Sequence, residues 1–234
     1  MNLYSIIKLS ELKKLLENLT GVVEMTYNQM EKAQGLYRPE FEHDACGIGL
    51  YAHIKGEATH DIVKKGLSML CKLDHRGGQG SDPLTGDGAG LMVQIPDAFF
   101  RKELENIALP ESGKYAVGMI FFSKEDPNRD LIESKINEYI AEVGQELLGW
   151  RTVPTDFRKI GKVAQKSCPV VRQVFIQSNQ ANKDKLAFER KLYIIRKLAE
   201  NWGRTEGKEF YFASLSSSTI VYKGLLTSDQ VESF

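Results

Sequence analysis

Cysteine is scarce in this chain: three residues among 234, Cys46, Cys71 and Cys168, widely spaced and odd in number. That excludes a disulfide framework and a complete cysteine ligand set for zinc or an iron-sulfur cluster, and it fits a reducing compartment, the cytoplasm. Net charge is absent too, since 31 basic residues balance 31 acidic ones. No global field therefore draws in nucleic acid or an anionic membrane surface. Long apolar runs are also missing, and the stretch from Ala116 to Phe122 is far too short to span a bilayer. Lys8, Glu11, Lys13, Lys14 and Glu17 interrupt the apolar core that a secretory signal needs. What the chain does have is 42% hydrophobic residues, enough for one large domain or part of a larger one, with a small molecule as the simplest ligand class.

Periodicity divides the chain into strands and helices. Ile6, Leu9, Leu12, Leu16 and Leu19 recur near helical spacing and predict a short amphipathic helix over residues 3–19, whereas residues 25–45, with Gly35 and Pro39, read as extended. Ile48, Leu50 and Ala52 alternate, predicting a half-buried strand over 47–53. Thr59 is placed to cap a helix reaching Leu73, with Ile62, Val63, Leu67, Leu70 and Cys71 inward, so that Cys71 fills core. A glycine-crowded loop, Asp74 to Gly90, leads into a strand from Leu91 to Ile95.

Further strands are expected at Tyr115–Phe122, Leu147–Val153 and Val170–Gln177. A helix over 126–145 would turn Leu131, Ile132, Ile136, Ile140 and Val143 inward. Another, from Lys183 to Trp202, would bury Leu186, Leu192, Ile195 and Leu198, with Gly203 ending it. Phe210–Leu215 and Thr219–Lys223 read as a hairpin joined by serines; the Ser216–Thr219 run is a turn, since no paired base supports a hydroxyl nucleophile. Strands with helices between them and no dinucleotide-binding glycine fingerprint favour a layered α+β architecture over a doubly wound parallel sheet.

Two places carry chemistry. Cys46 opens the run Cys46-Gly47-Ile48-Gly49, in which the glycines leave the sulfur uncrowded. If the Ala45–Cys46 bond were cut, the freed α-amine, which titrates at about 7.7–8.0, would lie beside a thiol with a pKa of about 8.5 and could shuttle its proton. The motif alone equally describes a buried thiol beside a strand glycine.

The second place is the 74–90 loop, where Arg76 and Asp87 bring opposite charges among glycines. A phosphate cradle is rejected there, because Gly86-Asp87-Gly88-Ala89-Gly90 precedes a strand instead of joining a strand to a helix, and the P-loop lysine is missing. Arg76 either faces a ligand or braces the loop through Asp74 or Asp87. His75 is an alternative base for Cys46.

Four ordered motifs then carry a resemblance. They are Tyr37–Gly49, Leu73-Asp74-His75-Arg76-Gly77-Gly78, Thr85-Gly86-Asp87-Gly88-Ala89-Gly90, and the run from Phe210 to Gly224. From about Met25 onward the chain resembles the amino-terminal class II glutamine amidotransferase domain of glutamate synthase large subunits, which has the N-terminal-nucleophile hydrolase fold. The resemblance implies a four-layer αββα sandwich, incomplete at the C-terminus. It implies an extension over 1–24, a propeptide over 25–45 and the amidotransferase domain over 46–234.

It also implies that Cys46 is the nucleophile, attacking the side-chain amide of glutamine to form a γ-glutamyl thioester, and that Arg76 lies beside it as a substrate-binding residue. Ammonia would pass to a synthase domain using flavin mononucleotide and an iron-sulfur cluster, with electrons from a small subunit or ferredoxin. None of that later machinery lies in these 234 residues. The family pattern continues into a segment reading His-Ser-Arg-Phe-Ser-Thr-Asn and an Asn-Gly oxyanion pair, and neither occurs here. Losing one oxyanion donor costs on the order of 100- to 1000-fold in turnover. The expectation is therefore that this polypeptide alone is a weak or inactive glutaminase.

Overall fold

The computed structural model describes residues 46–78, 82–124, 126–179 and 185–234. The chain divides into two compact units, Met1–Ala45 and Cys46–Phe234, and the described residues belong to the second. The expected helix over 3–19 and extended stretch over 25–45 lie outside the described residues.

Among the described residues six strands form two antiparallel sheets: β1 (Ala89–Gln94), β2 (Tyr115–Phe122), β3 (Glu146–Thr152), β4 (Val170–Gln177), β5 (Phe210–Ser216) and β6 (Thr219–Gly224). One sheet runs β3-β4-β2-β5, and the other is the pair β1-β6. The α-helices among the described residues are α1 (His60–Lys72), α2 (Asp97–Glu103), α3 (Arg129–Glu142), α4 (Lys162–Ser167) and α5 (Lys185–Thr205).

The period-2 alternation of β2 and β4 sorts the core into two clusters. Ala116, Ile120, Phe122, Val174 and Ile176 face α3 and α5, meeting Ile132, Ile136, Ile140, Phe188, Leu192, Ile195 and Ala199. Tyr115, Val117, Met119, Val171 and Phe175 face the other way, against Phe100 and Leu104 and against Ile220 of β6. Phe100 and Phe175 meet edge to face at 5.2 Å, a geometry that the ring quadrupole favours. One polar side chain sits within this second cluster: Gln173, fully buried, accepts a 3.0 Å bond from Arg151.

Several expectations need correction. Residues 47–53 form no strand, and Ile48 and Leu50 are 92% and 88% exposed. A strand needs a hydrogen-bonded neighbour, and this segment lies instead along α1, as described below. Cys71 is exposed, because α1 turns Gly66 toward Leu91 of β1, which sets its inner face on the Ile62, Gly66 and Leu70 side. Leu131 and Leu186 are exposed, each a step off the Ile132–Ile136–Ile140 and Phe188–Leu192–Ile195–Ala199 stripes.

Gly203 does not end α5, which continues to Thr205. A side chain at 203 would run into the ring of Phe210, 2.5 Å away, so this glycine serves close packing; the left-handed residue is Gly207, at φ +60°. The serine-joined strands are not a hairpin, since β5 pairs with β2 and β6 with β1. Side chains take the amides concerned: Val221 N–H donates to Ser214 Oγ at 3.1 Å. At the turn, Glu189 of α5 accepts from Ser217 N–H at 2.8 Å and from the hydroxyls of Ser216 and Ser217.

Two outcomes are expected. Ile136→Ala removes buried volume between the sheet and α5 and costs about 2–5 kcal/mol in chemical denaturation. Asp97 accepts from Arg101 and from the buried Tyr115 hydroxyl, and the Arg101 bond holds its carboxyl below the ordinary 3.8. Its stabilisation is therefore complete above that value and lost as pH falls through the lowered folded pKa. The Tm gap between the parent and Asp97→Asn should be flat near neutrality and close in acid.

Candidate active site

The site is built on the end of α1. Leu73 N–H bonds back to Met69 and Leu70, and Arg76 N–H donates to Leu73 O at 2.8 Å, so the helix runs directly into a 3₁₀ turn over Asp74–Arg76. The segment after Cys46 lies antiparallel along this helix. A methyl built on Gly47 would stand 3.0 Å from Arg76 Cβ, and one on Gly49 would stand 2.5 Å from Met69 Sδ. Farther along, Lys65 Nζ sits 5.2 Å from the Tyr51 ring centroid. Glycine at alternate positions is what lets the backbone approach the helix so closely.

Cys46 is exposed, and it is among the residues lining an apolar groove of about 1130 Å³. Asp87, Met92, Cys168, Tyr211 and Lys223 also line it. Lys223 Nζ donates to Tyr211 Oη at 2.7 Å. Cys168 is half-buried, and burial pushes its thiol above the ordinary value.

The loop residues take distinct places. Arg76 is exposed, and among the described residues it forms no ion pair with Asp74 or Asp87. Asp74 instead accepts from Ser228 Oγ at 2.6 Å. Asp87 closes the loop base, its N–H donating to Gly78 O at 3.1 Å while its carboxylate packs on the Gly78 α-carbon. His75 Nδ1 lies 3.1 Å from Lys72 O, so that nitrogen carries the proton and donates. Among the described residues no hydrogen bond joins His75 to Cys46. Nor does any group of three or more His, Cys, Asp or Glu side chains there come close enough to hold a metal ion. The donor set of the described residues thus does not fit an iron-sulfur cluster.

The structure brings Gly47 and Arg76 together, both expected near the reacting sulfur, and sets Asp87 and Cys46 on one groove. Sequence reading missed Ser228 and Gln230, which hold this loop from the far end of the chain; the Thr227-x-x-Gln230 spacing is that of a capping box, a local signal that could have drawn attention to Gln230, while nothing local marks Ser228.

Residues 46–234 match the family model described as "Glutamine amidotransferases class-II". The chain belongs to the class II glutamine amidotransferases. It is 73% identical over 210 residues to the glutamate synthase (NADPH) large chain of Bacillus subtilis, covering 90% of this chain and 14% of that protein. It is 39% identical over 213 residues to the glutamate synthase (NADH) of Schizosaccharomyces pombe, covering 88% of this chain and 10% of the relative. It is 41% identical over 193 residues to the chloroplastic ferredoxin-dependent glutamate synthase 2 of Arabidopsis thaliana, covering 80% and 12%. The chain therefore spans a small part of the length of each relative. Among the described residues no helix is long and apolar enough to cross a membrane.

Exposure and burial together order the three thiols. At neutral pH, iodoacetamide should modify Cys46 and Cys71 before Cys168, with the Cys168 rate rising later as pH increases; peptide mass spectrometry over a time course checks this.

Proposed function

We propose that this class II amidotransferase is the glutaminase portion of a glutamate synthase, with Cys46 as nucleophile and Arg76 as an anchor for glutamine. The observation that carries the reading is that the family match and the second compact unit both begin at Cys46. The overall identities of 73% and 39% to glutamate synthases support the parent enzyme. The stacking of helices, a four-stranded sheet and a two-stranded sheet supports the αββα sandwich type.

The chemistry follows from an amino-terminal thiol. Removal of residues 1–45, an extension and a propeptide, frees the Cys46 α-amine, which takes the thiol proton as sulfur attacks the glutamine Cδ carbonyl. The new C–S bond forms, the C–N bond breaks, and the amine returns the proton to departing ammonia. Water then adds to the thioester, releasing glutamate and regenerating the thiol. Arg76 offers an exposed guanidinium whose planar fork matches the glutamine α-carboxylate. Ammonia passes to a synthase domain of the longer polypeptide, where flavin mononucleotide and an iron-sulfur cluster supply reduction with electrons from a small subunit or ferredoxin. Cysteine scarcity supports a cytoplasmic location.

A second reading, a chain of this fold that does not turn over glutamine by itself, is favoured by one observation. Ile48 and Leu50, two and four residues after Cys46, stand in solvent.

Intact-mass measurement and labelling with diazo-oxo-norleucine, a glutamine-shaped diazoketone, decide between them. Loss of residues 1–45 and a glutamine-competed label on Cys46, absent in Cys46→Ala, are expected. Arg76→Ala should raise the glutamine needed for competition by about tenfold to a hundredfold, the weight of a hydrogen bond to a charged group. An uncut leader with no label would favour the second reading. Labelling that ignores processing and disappears in His75→Ala would replace the amine by His75.

A further inference from the structure

Gln230 is 4% exposed, and its whole amide is engaged. Nε2 donates to Leu84 O at 3.0 Å and to Lys159 O at 3.1 Å, while Oε1 accepts from Thr227 N–H at 3.0 Å. One side chain thus joins three segments far apart in sequence. Around it the segments interlock: Gly161 N–H donates to Leu84 O at 2.7 Å, Asp82 accepts from Thr85 Oγ1 at 3.0 Å and Val163 N–H at 3.3 Å, and Gly86 packs on the Leu226 carbonyl. Two residues before Gln230, Ser228 Oγ donates to Asp74 at 2.6 Å, at the start of the turn that sets Arg76 against Gly47. The loop bearing Arg76 and Asp87 is therefore held at Asp74 and at Leu84 by the short turn Ser228–Gln230.

We propose that Gln230 is a positioning residue for the Cys46 site: its buried amide fixes the 82–88 half of the loop, and the turn it closes delivers Ser228 to the Arg76 half. The proposal rests on the reading of Cys46 as the glutamine-directed nucleophile. Its physical basis is that two carbonyls and one N–H depend on one amide, and a carboxylate in its place is an acceptor only, facing two carbonyl oxygens.

Gln230→Glu in the 234-residue chain tests it, with Ser228→Ala as a milder variant that empties no buried position. Hydrogen exchange should quicken about tenfold in Gln230→Glu at residues 75–77 as well as 82–88, with β2, β4 and α3 unchanged, the scale expected for one lost buried hydrogen bond. Ser228→Ala should quicken 75–77 alone. Diazo-oxo-norleucine labelling of Cys46 should fall about tenfold in Gln230→Glu, while iodoacetamide labelling of the same sulfur stays within about twofold. A fall shared equally by both reagents, or exchange that rises at 82–88 and 227–234 but not at 75–77 in either variant, would overturn the proposal. A parent chain that the diazoketone does not label overturns the nucleophile reading instead, and the exchange pattern still decides the clasp.

Discussion

The burial of both faces of β2 and β4 is the constraint on which the remaining structure depends. Even-numbered residues of these strands meet α3 and α5, and odd-numbered residues meet Phe100, Leu104 and Ile220. Because the side-chain period of a strand is two, a one-residue slip would exchange the two core clusters, so register is tightly specified. That register fixes where β5 lies beside β2, and hence where the chain turns at Ser217 to send β6 into the other sheet. β6 then sets β1, and β1 sets α1 through the contact of Leu91 with Gly66. The site at the end of α1 is the last link of this chain of packing.

The site itself is made of close backbone approach more than of charge pairing. Cys46 leads a segment that lies on α1 because Gly47 and Gly49 carry no side chains, and Arg76 reaches the same place because a 3₁₀ turn extends the helix. Asp87 and Asp74, which by spacing alone could have neutralised Arg76, are occupied with Gly78 and Ser228. The guanidinium consequently faces solvent beside the sulfur-bearing segment. A strand and not a helix follows the glycine loop, so the loop does not lead into a helix N-terminus of the kind that cradles phosphate.

Legibility from sequence tracked how local the deciding physics was. β2 and β4 were readable to the residue, β2 as a continuous apolar run between Lys114 and Ser123 and β4 as two β-branched and apolar stretches around Arg172 and Gln173. The three longer helices α1, α3 and α5 were readable, the short α2 and α4 were not expected, and which face turned inward was not readable at the edges of the stripe: Cys71, Leu131 and Leu186 are apolar yet exposed, since neighbours choose the inner face. The alternation after Cys46 imitated a strand, and serines between two strands imitated a hairpin. The serine segment failed because the Ser217 and Val221 amides found side-chain partners outside the expected ladder, and the 47–53 segment because it packs along α1 with no neighbouring strand among the described residues.

By itself the sequence determined where β2 and β4 run and the family membership that its motifs carry, because each depends on residue type and short spacing. The tertiary structure decided that Arg76 stands against Gly47, that β5 and β6 enter different sheets, and that Ser228 and Gln230 brace a loop about 150 residues earlier. Those relations arise when distant segments are brought together to satisfy buried carbonyls and amides, and no local periodicity encodes them.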